Sequence, residues 1–158
     1  MKNTPIDIQT VQSVFTNSFY SAMIFVLFIV INFLHGFKLD TIPAGLFFDE
    51  ATIGIQASHI NQTGIKAYDD YIRTRGDIDS PILILTTALI FRVFGMSEYS
   101  LRLPNVLFFS TALILAFWLV KNLFRNNRVV WIYLLIAFGF LPQFFTISRL
   151  SFEVVAQL

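Results

Sequence analysis

"PILILTTALIFRVFG", residues 81–95, is the stretch whose path sets how many times the chain crosses a membrane. Ten apolar or threonine positions lie between Pro81 and Arg92. Runs of about 10–14 apolar residues are more often interfacial, re-entrant or buried than spanning. If this run crosses, four segments cross; if it does not, three do, and every loop after it changes side.

The membrane itself follows from composition. The chain has 158 residues, 56% hydrophobic and only 13% charged, against about 25% charged in ordinary globular chains. Its mean hydropathy is +0.69, and 19 residues are phenylalanine. A chain this short buries roughly 70% of its surface on folding, too little to hide so much apolar area from water. The net charge of +1 gives no footprint for nucleic acid. Without cysteine there are no disulfides, thiolate metal sites or cysteine nucleophiles.

Three runs have the roughly 17–25 residues that a spanning helix needs. They are "FYSAMIFVLFIVINFLHGF" (19–37), "PNVLFFSTALILAFWLV" (104–120, with the span drawn from 103) and "VVWIYLLIAFGFLPQFFTI" (129–147). An isolated strand leaves its backbone unsatisfied in lipid, so each is a helix. The first follows a polar segment of mixed charge and has no cleavage site after it, unlike a signal peptide. Pro142 lies near the end of the third, where a kink costs least. The connection "KNLFRNNR" (121–128) carries Lys121, Arg125 and Arg128 and no acid, and short basic loops stay cytoplasmic. With three spans this sets residues 1–18 inside, 38–102 outside and 148–158 outside, as the start of a further outer helix. Residues 81–93 then form a helix lying at or dipping into the outer face, with Arg92 snorkelling to the head groups. The expected fold is an all-α membrane protein with three spanning helices plus outer juxtamembrane helices. The expected place is the cell membrane, as a multi-pass protein.

The outer segment is long, and loops beyond about 15 residues are usually functional or disordered. Residues 48–63 read as a short amphipathic helix, with Ile53, Ala57 and Ile60 on one face and Gly64 as its stop. "IKAYDDYIRTRGDID" (65–79) reads as a polar surface segment. Asp49 and Glu50 open the first helix, where acids cap free N–H groups and meet the positive end of the dipole. Capping and solvation account for such a pair in isolation. Here Arg102 sits at the outer lip of the second span and Arg149 at the outer end of the third. Each arginine alone is explained by snorkelling. Together the charges suit an anionic substrate with a hydroxyl to be deprotonated, since the guanidinium fork matches phosphate. His35 reads as an interface residue at a helix end and His59 as a polar surface residue. Neither is spaced with the acids as a metal set.

In order and spacing, "FFDEATIGIQASHINQTG" (47–64), "GDIDSPILILTTALIFRVFGMSEYSLRLPNVLFF" (76–109), "LVKNLF" (119–124) and "FFTISRLSFE" (144–153) resemble the start of a polytopic glycosyltransferase of the GT-C type. The resemblance is to the dolichyl-phosphate-mannose–protein mannosyltransferases and the related aminoarabinose lipid A transferase, and it runs from about Ala44 to Glu153. It implies that a sugar arrives on a polyprenyl phosphate, that an acceptor hydroxyl on protein, lipid or glycan attacks the anomeric carbon, and that the lipid phosphate leaves. That chemistry asks for a base near the acceptor and cations on the phosphate. By resemblance Asp49 is the base, or the carboxylate that orients the acceptor. Glu50 supports it, or faces a divalent metal where one is used. Arg102 and Arg149 hold phosphate or the carboxylate network. Glu153, four residues past Arg149, pairs with it on one helix face.

Relatives of that type carry two prolines, often behind a lysine or histidine, where this chain has Asp79-Ser80-Pro81. They also have many more spanning helices. The chain is therefore expected to be an N-terminal portion that works with the remaining helices of a longer enzyme and is inactive alone. Two other classes fit parts of the pattern. A non-catalytic or degenerate membrane protein would use the acids only as caps. A transporter segment would use Asp49 as an ion site, although transporters place such charges on broken helices at mid-membrane.

Overall fold

The computed structural model describes residues 8–64, 80–125 and 127–151, with side chains from residue 18 onward. Among the described residues the ordered structure is entirely helical. Six helices follow in order: α1 (Ile8–Gly36), α2 (Phe48–Thr63), α3 (Pro81–Phe94), α4 (Glu98–Leu123), α5 (Arg128–Phe140) and α6 (Pro142–Arg149).

Two are long and apolar enough to cross a membrane, α1 over Ser18–Gly36 and α4 over its whole length. The α5–α6 pair makes a third candidate, bent by 54° at its break. Pro142 supplies the break, since it has no N–H to continue the ladder of α5 and its fixed φ suits the first turn of α6. The outward faces are apolar, as on helices that meet lipid. Phe25 is 64% exposed, Phe33 62% and Trp118 61%, all on the two helices long and apolar enough to cross.

At 14 residues α3 rises about 21 Å, well short of a hydrocarbon core of about 30 Å. It buries Leu83, Ile84, Ala88 and Phe91 against Ile53 and Ala57 of α2 and Leu101 of α4. Gly64 and Gly95 end α2 and α3 at φ 84 and φ 82, a left-handed turn that a side chain would resist. Their N–H groups close the last turns on Ile60 O and Phe91 O. The helix α4 starts before its apolar run, because Ser97 caps it by accepting from Ser100 N at 3.1 Å.

A second core lies inside the bundle, where Ile31 of α1 meets Phe109 and Leu113 of α4 and Leu135 of α5. Here α1 and α5 approach so closely that a Cβ on Gly139 would lie 2.5 Å from Ile31. The run 65–79, the tail 1–7 and residues 152–158 fall outside the described residues, and with them the surface segment read from sequence; of the outer helix expected from residue 148, Ser148 and Arg149 instead close α6 and Leu150 is extended.

Candidate functional site

At one end of the bundle the segment between α1 and α2 folds around two buried guanidiniums. Arg102, in the second turn of α4, is wholly buried. Its Nε donates to Glu50 Oε1 and its Nη2 to Glu50 Oε2, each at 3.0 Å, a bidentate fork. The remaining N–H groups donate to the carbonyls of Leu39 (2.8 Å), Pro43 (3.0 Å) and Gly45 (2.6 Å). Glu98 approaches Nη1 at 4.0 Å from one turn earlier on α4.

Arg149, the last residue of α6, reaches the other side of the same segment. Nη1 donates to Leu34 O and His35 O at 2.9 and 3.3 Å. Nη2 donates to Phe37 O, Lys38 O and Ile42 O at 2.6, 3.2 and 3.0 Å. The first of these are the terminal carbonyls of α1, which have no partner within the helix and form the negative end of its dipole. Lys38 takes the left-handed backbone at φ 52, rare for a residue with a side chain. That turn points its carbonyl at Arg149 and at the N–H groups of Thr41 and Ile42. Among the described residues, Arg149 Nε and the hydroxyl of buried Ser151 find no partner.

Glu50 joins the parts. Besides Arg102 it accepts from Phe47 N at 3.2 Å, capping the first turn of α2, and from Ser151 N at 2.9 Å. With four donors on its two oxygens, a carboxylate has its accepting positions filled. The donor set therefore does not fit a divalent cation at Glu50. Among the described residues, no group of three or more histidines and acids converges elsewhere.

Asp49 is the neighbour of Glu50 in sequence and its opposite in setting. It is exposed at the second position of α2, among that helix's free N–H groups. The two acids diverge because successive helical residues lie 100° apart, so one turns to α4 and the other to solvent. A groove of about 460 Å³ opens between α2, α3 and the start of α4, lined by Gly54, Ile55, Ser58, Phe91, Met96 and Leu101 among others. Asp49 does not line it. Glu153 lies outside the described residues.

His35, read from sequence as an interface residue at a helix end, does stand on the last turn of its helix, while sequence reasoning missed Asn32, Asn105, Ser110 and Ser148. His35 is buried, stacked on Phe109 with ring centroids 4.1 Å apart. Its Nε2 lies 3.0 Å from Gly139 O, which only an N–H can satisfy, and Nδ1 meets Ser148 Oγ. It thus ties α1 to both halves of the bent pair. Asn105 donates to Leu150 O, and Ser110 of α4 bonds Asn32 of α1. The available signal was polarity inside apolar runs, since such residues face the bundle interior. No protein-family model matches the chain, and neither a curated protein nor a solved structure matches it.

Proposed function

We propose that the chain is the N-terminal membrane portion of a GT-C-type glycosyltransferase, transferring a sugar from a polyprenyl-phosphate donor to an acceptor hydroxyl at the outer face. The observation that carries this reading is the division of labour in the acidic pair. Glu50 is neutralised by Arg102 and locks the start of α2 to α4, while Asp49 stands exposed on that fixed platform. A reactive carboxylate gains from being held by a rigid scaffold that does not share its chemistry. An exposed carboxylate on the first turn of α2 is placed to orient an incoming hydroxyl and take its proton.

The arginines fit the carboxylate-network role better than phosphate contact. Arg102 has its donors on Glu50 and three carbonyls, and Arg149 has its terminal nitrogens on five. The same saturation favours a second reading, a non-catalytic membrane protein in which the whole cluster is architecture and Asp49 only caps α2.

One experiment separates the two. Transfer of labelled sugar from a polyprenyl-phosphate donor is measured in native membranes carrying Asp49→Asn, beside unsubstituted membranes. Asparagine keeps the size and capping ability of aspartate and removes its charge. Transfer should fall by about 10²–10⁴ at equal protein level. Unchanged transfer would leave Asp49 as a cap and remove the enzyme reading.

A further inference from the structure

The opposite end of the bundle carries a second cluster, unconnected with Asp49. A cavity of about 380 Å³ lies where the starts of the spanning part of α1 and of α5 meet the α4–α5 loop, lined by Tyr20, Arg125, Asn127, Arg128 and Val129. The Arg128 guanidinium sits 5.4 Å from the centre of the Tyr20 ring. Arg125 is exposed, and so is Lys121 on the last turn of α4. The sequence holds no acid between Glu98 and Glu153, so the last turns of α4, the loop and α5 bring no carboxylate to Lys121 and Arg125. Asn127 caps α5 by accepting from Val130 N, which leaves its amide N–H groups as donors at the cavity. Directly beside the cations the surface turns apolar, with Phe19, Trp118, Leu119, Leu123 and Phe124 exposed.

We propose that this corner binds the phosphate head group of an anionic membrane lipid, with the lipid's chains against the apolar flank. Cations, hydroxyl and amide suit a phosphate monoanion or diester, and the guanidinium fork matches its oxygens. Free phosphate shares that chemistry. What selects a lipid is the apolar surface adjoining the cations on helices that already lie in the bilayer.

The chain's two tryptophans, Trp118 and Trp131, both lie near this end. Trp131 Nε1 donates to Phe124 O at 2.9 Å, and its ring meets Phe117 edge-on. With Trp118→Phe, Trp131 becomes the sole reporter of lipid at the loop. The full chain is reconstituted in phosphatidylcholine bilayers, and Trp131 quenching is titrated with chain-brominated phosphatidylglycerol or chain-brominated phosphatidylcholine. The anionic lipid should quench at the lower mole fraction. Each cation near an anionic surface contributes about a fivefold preference, so Arg125→Gln should reduce the preference about fivefold and Arg125→Gln with Arg128→Gln about 25-fold. Arg125 is exposed, so the single variant reads out binding even if the double variant folds poorly. Equal quenching by the two lipids, or an unchanged preference in Arg125→Gln, would overturn the proposal. Displacement of the brominated anionic lipid by inorganic phosphate would overturn the lipid assignment in favour of a simple anion site.

Discussion

Glu50 and Arg102 bear opposite charges with no exposure to solvent, and each is satisfied through the other. A buried pair adds little over an apolar pair of the same shape, but removing one member leaves an uncompensated charge that costs about 3–5 kcal/mol. In Glu50→Gln the amide nitrogen would turn a donor toward Arg102 or toward the N–H groups of Phe47 and Ser151. In Arg102→Lys three donors on one nitrogen would replace a fork that serves a carboxylate and three carbonyls. Both variants should lose most of the stability of this end of the molecule, seen as a large drop in thermal midpoint in detergent. Glu98→Gln should stay within about 0.5 kcal/mol, because its contact is 4.0 Å and partly exposed. Equal stability of Glu50→Gln and Glu98→Gln would show that the buried pair does not hold the segment. The sequence names both acids and both arginines, but adjacency cannot tell which acid is buried. Nor is the target of Arg149 legible, since its carbonyl partners lie more than 100 positions earlier in the chain.

At the scale of elements, the features with local causes are the legible ones. The run that opens at Asp49 and stops at Gly64 is a helix over Phe48–Thr63, because a cap, a period and a left-handed glycine act within a few residues. The bend at Pro142 is likewise a property of one residue. The contact between α1 and α5 is not local, and no sequence pattern marks Gly139 as more than one glycine in an apolar run. There a Cβ would come within 2.5 Å of both Cγ1 and Cδ1 of Ile31, a β-branched side chain with little freedom to swing aside. Gly139→Ala should therefore destabilise by about 1–3 kcal/mol through overpacking. Ile31→Ala opens a cavity and is itself destabilising, by about 2–5 kcal/mol. The double variant should be more stable than the sum of the two losses predicts, since each change makes room for the other. A double-mutant cycle of thermal midpoints measures this coupling. Strict additivity would mean that the two helices do not touch at this point.

Over the whole molecule, α1, α4 and the α5–α6 pair run alternately between two ends of opposite character. One end gathers His35, Glu50, Arg102 and Arg149 around folded backbone, and the other gathers Lys121, Arg125 and Arg128 beside Tyr20. Length and hydropathy make the bundle legible from sequence. Its expected direction in the membrane rests on a single physical cue, the acid-free basic loop, since short basic loops tend to stay on the cytoplasmic side. The absence of cysteine makes that cue easy to test, because any introduced thiol is the only one present. Gln62 is exposed on the last turn of α2, near the Asp49 end, and Asn122 is exposed on the last turn of α4, beside the basic loop. In intact cells a membrane-impermeant thiol reagent should label Gln62→Cys and should reach Asn122→Cys only after lysis. If α3 were a full span with the N-terminus still inside, the basic loop would instead lie outside, and Asn122→Cys would label without lysis. The reverse pattern would place Asp49 in the cytoplasm, away from any acceptor arriving from outside, and the glycosyl-transfer reading would fail together with the topology.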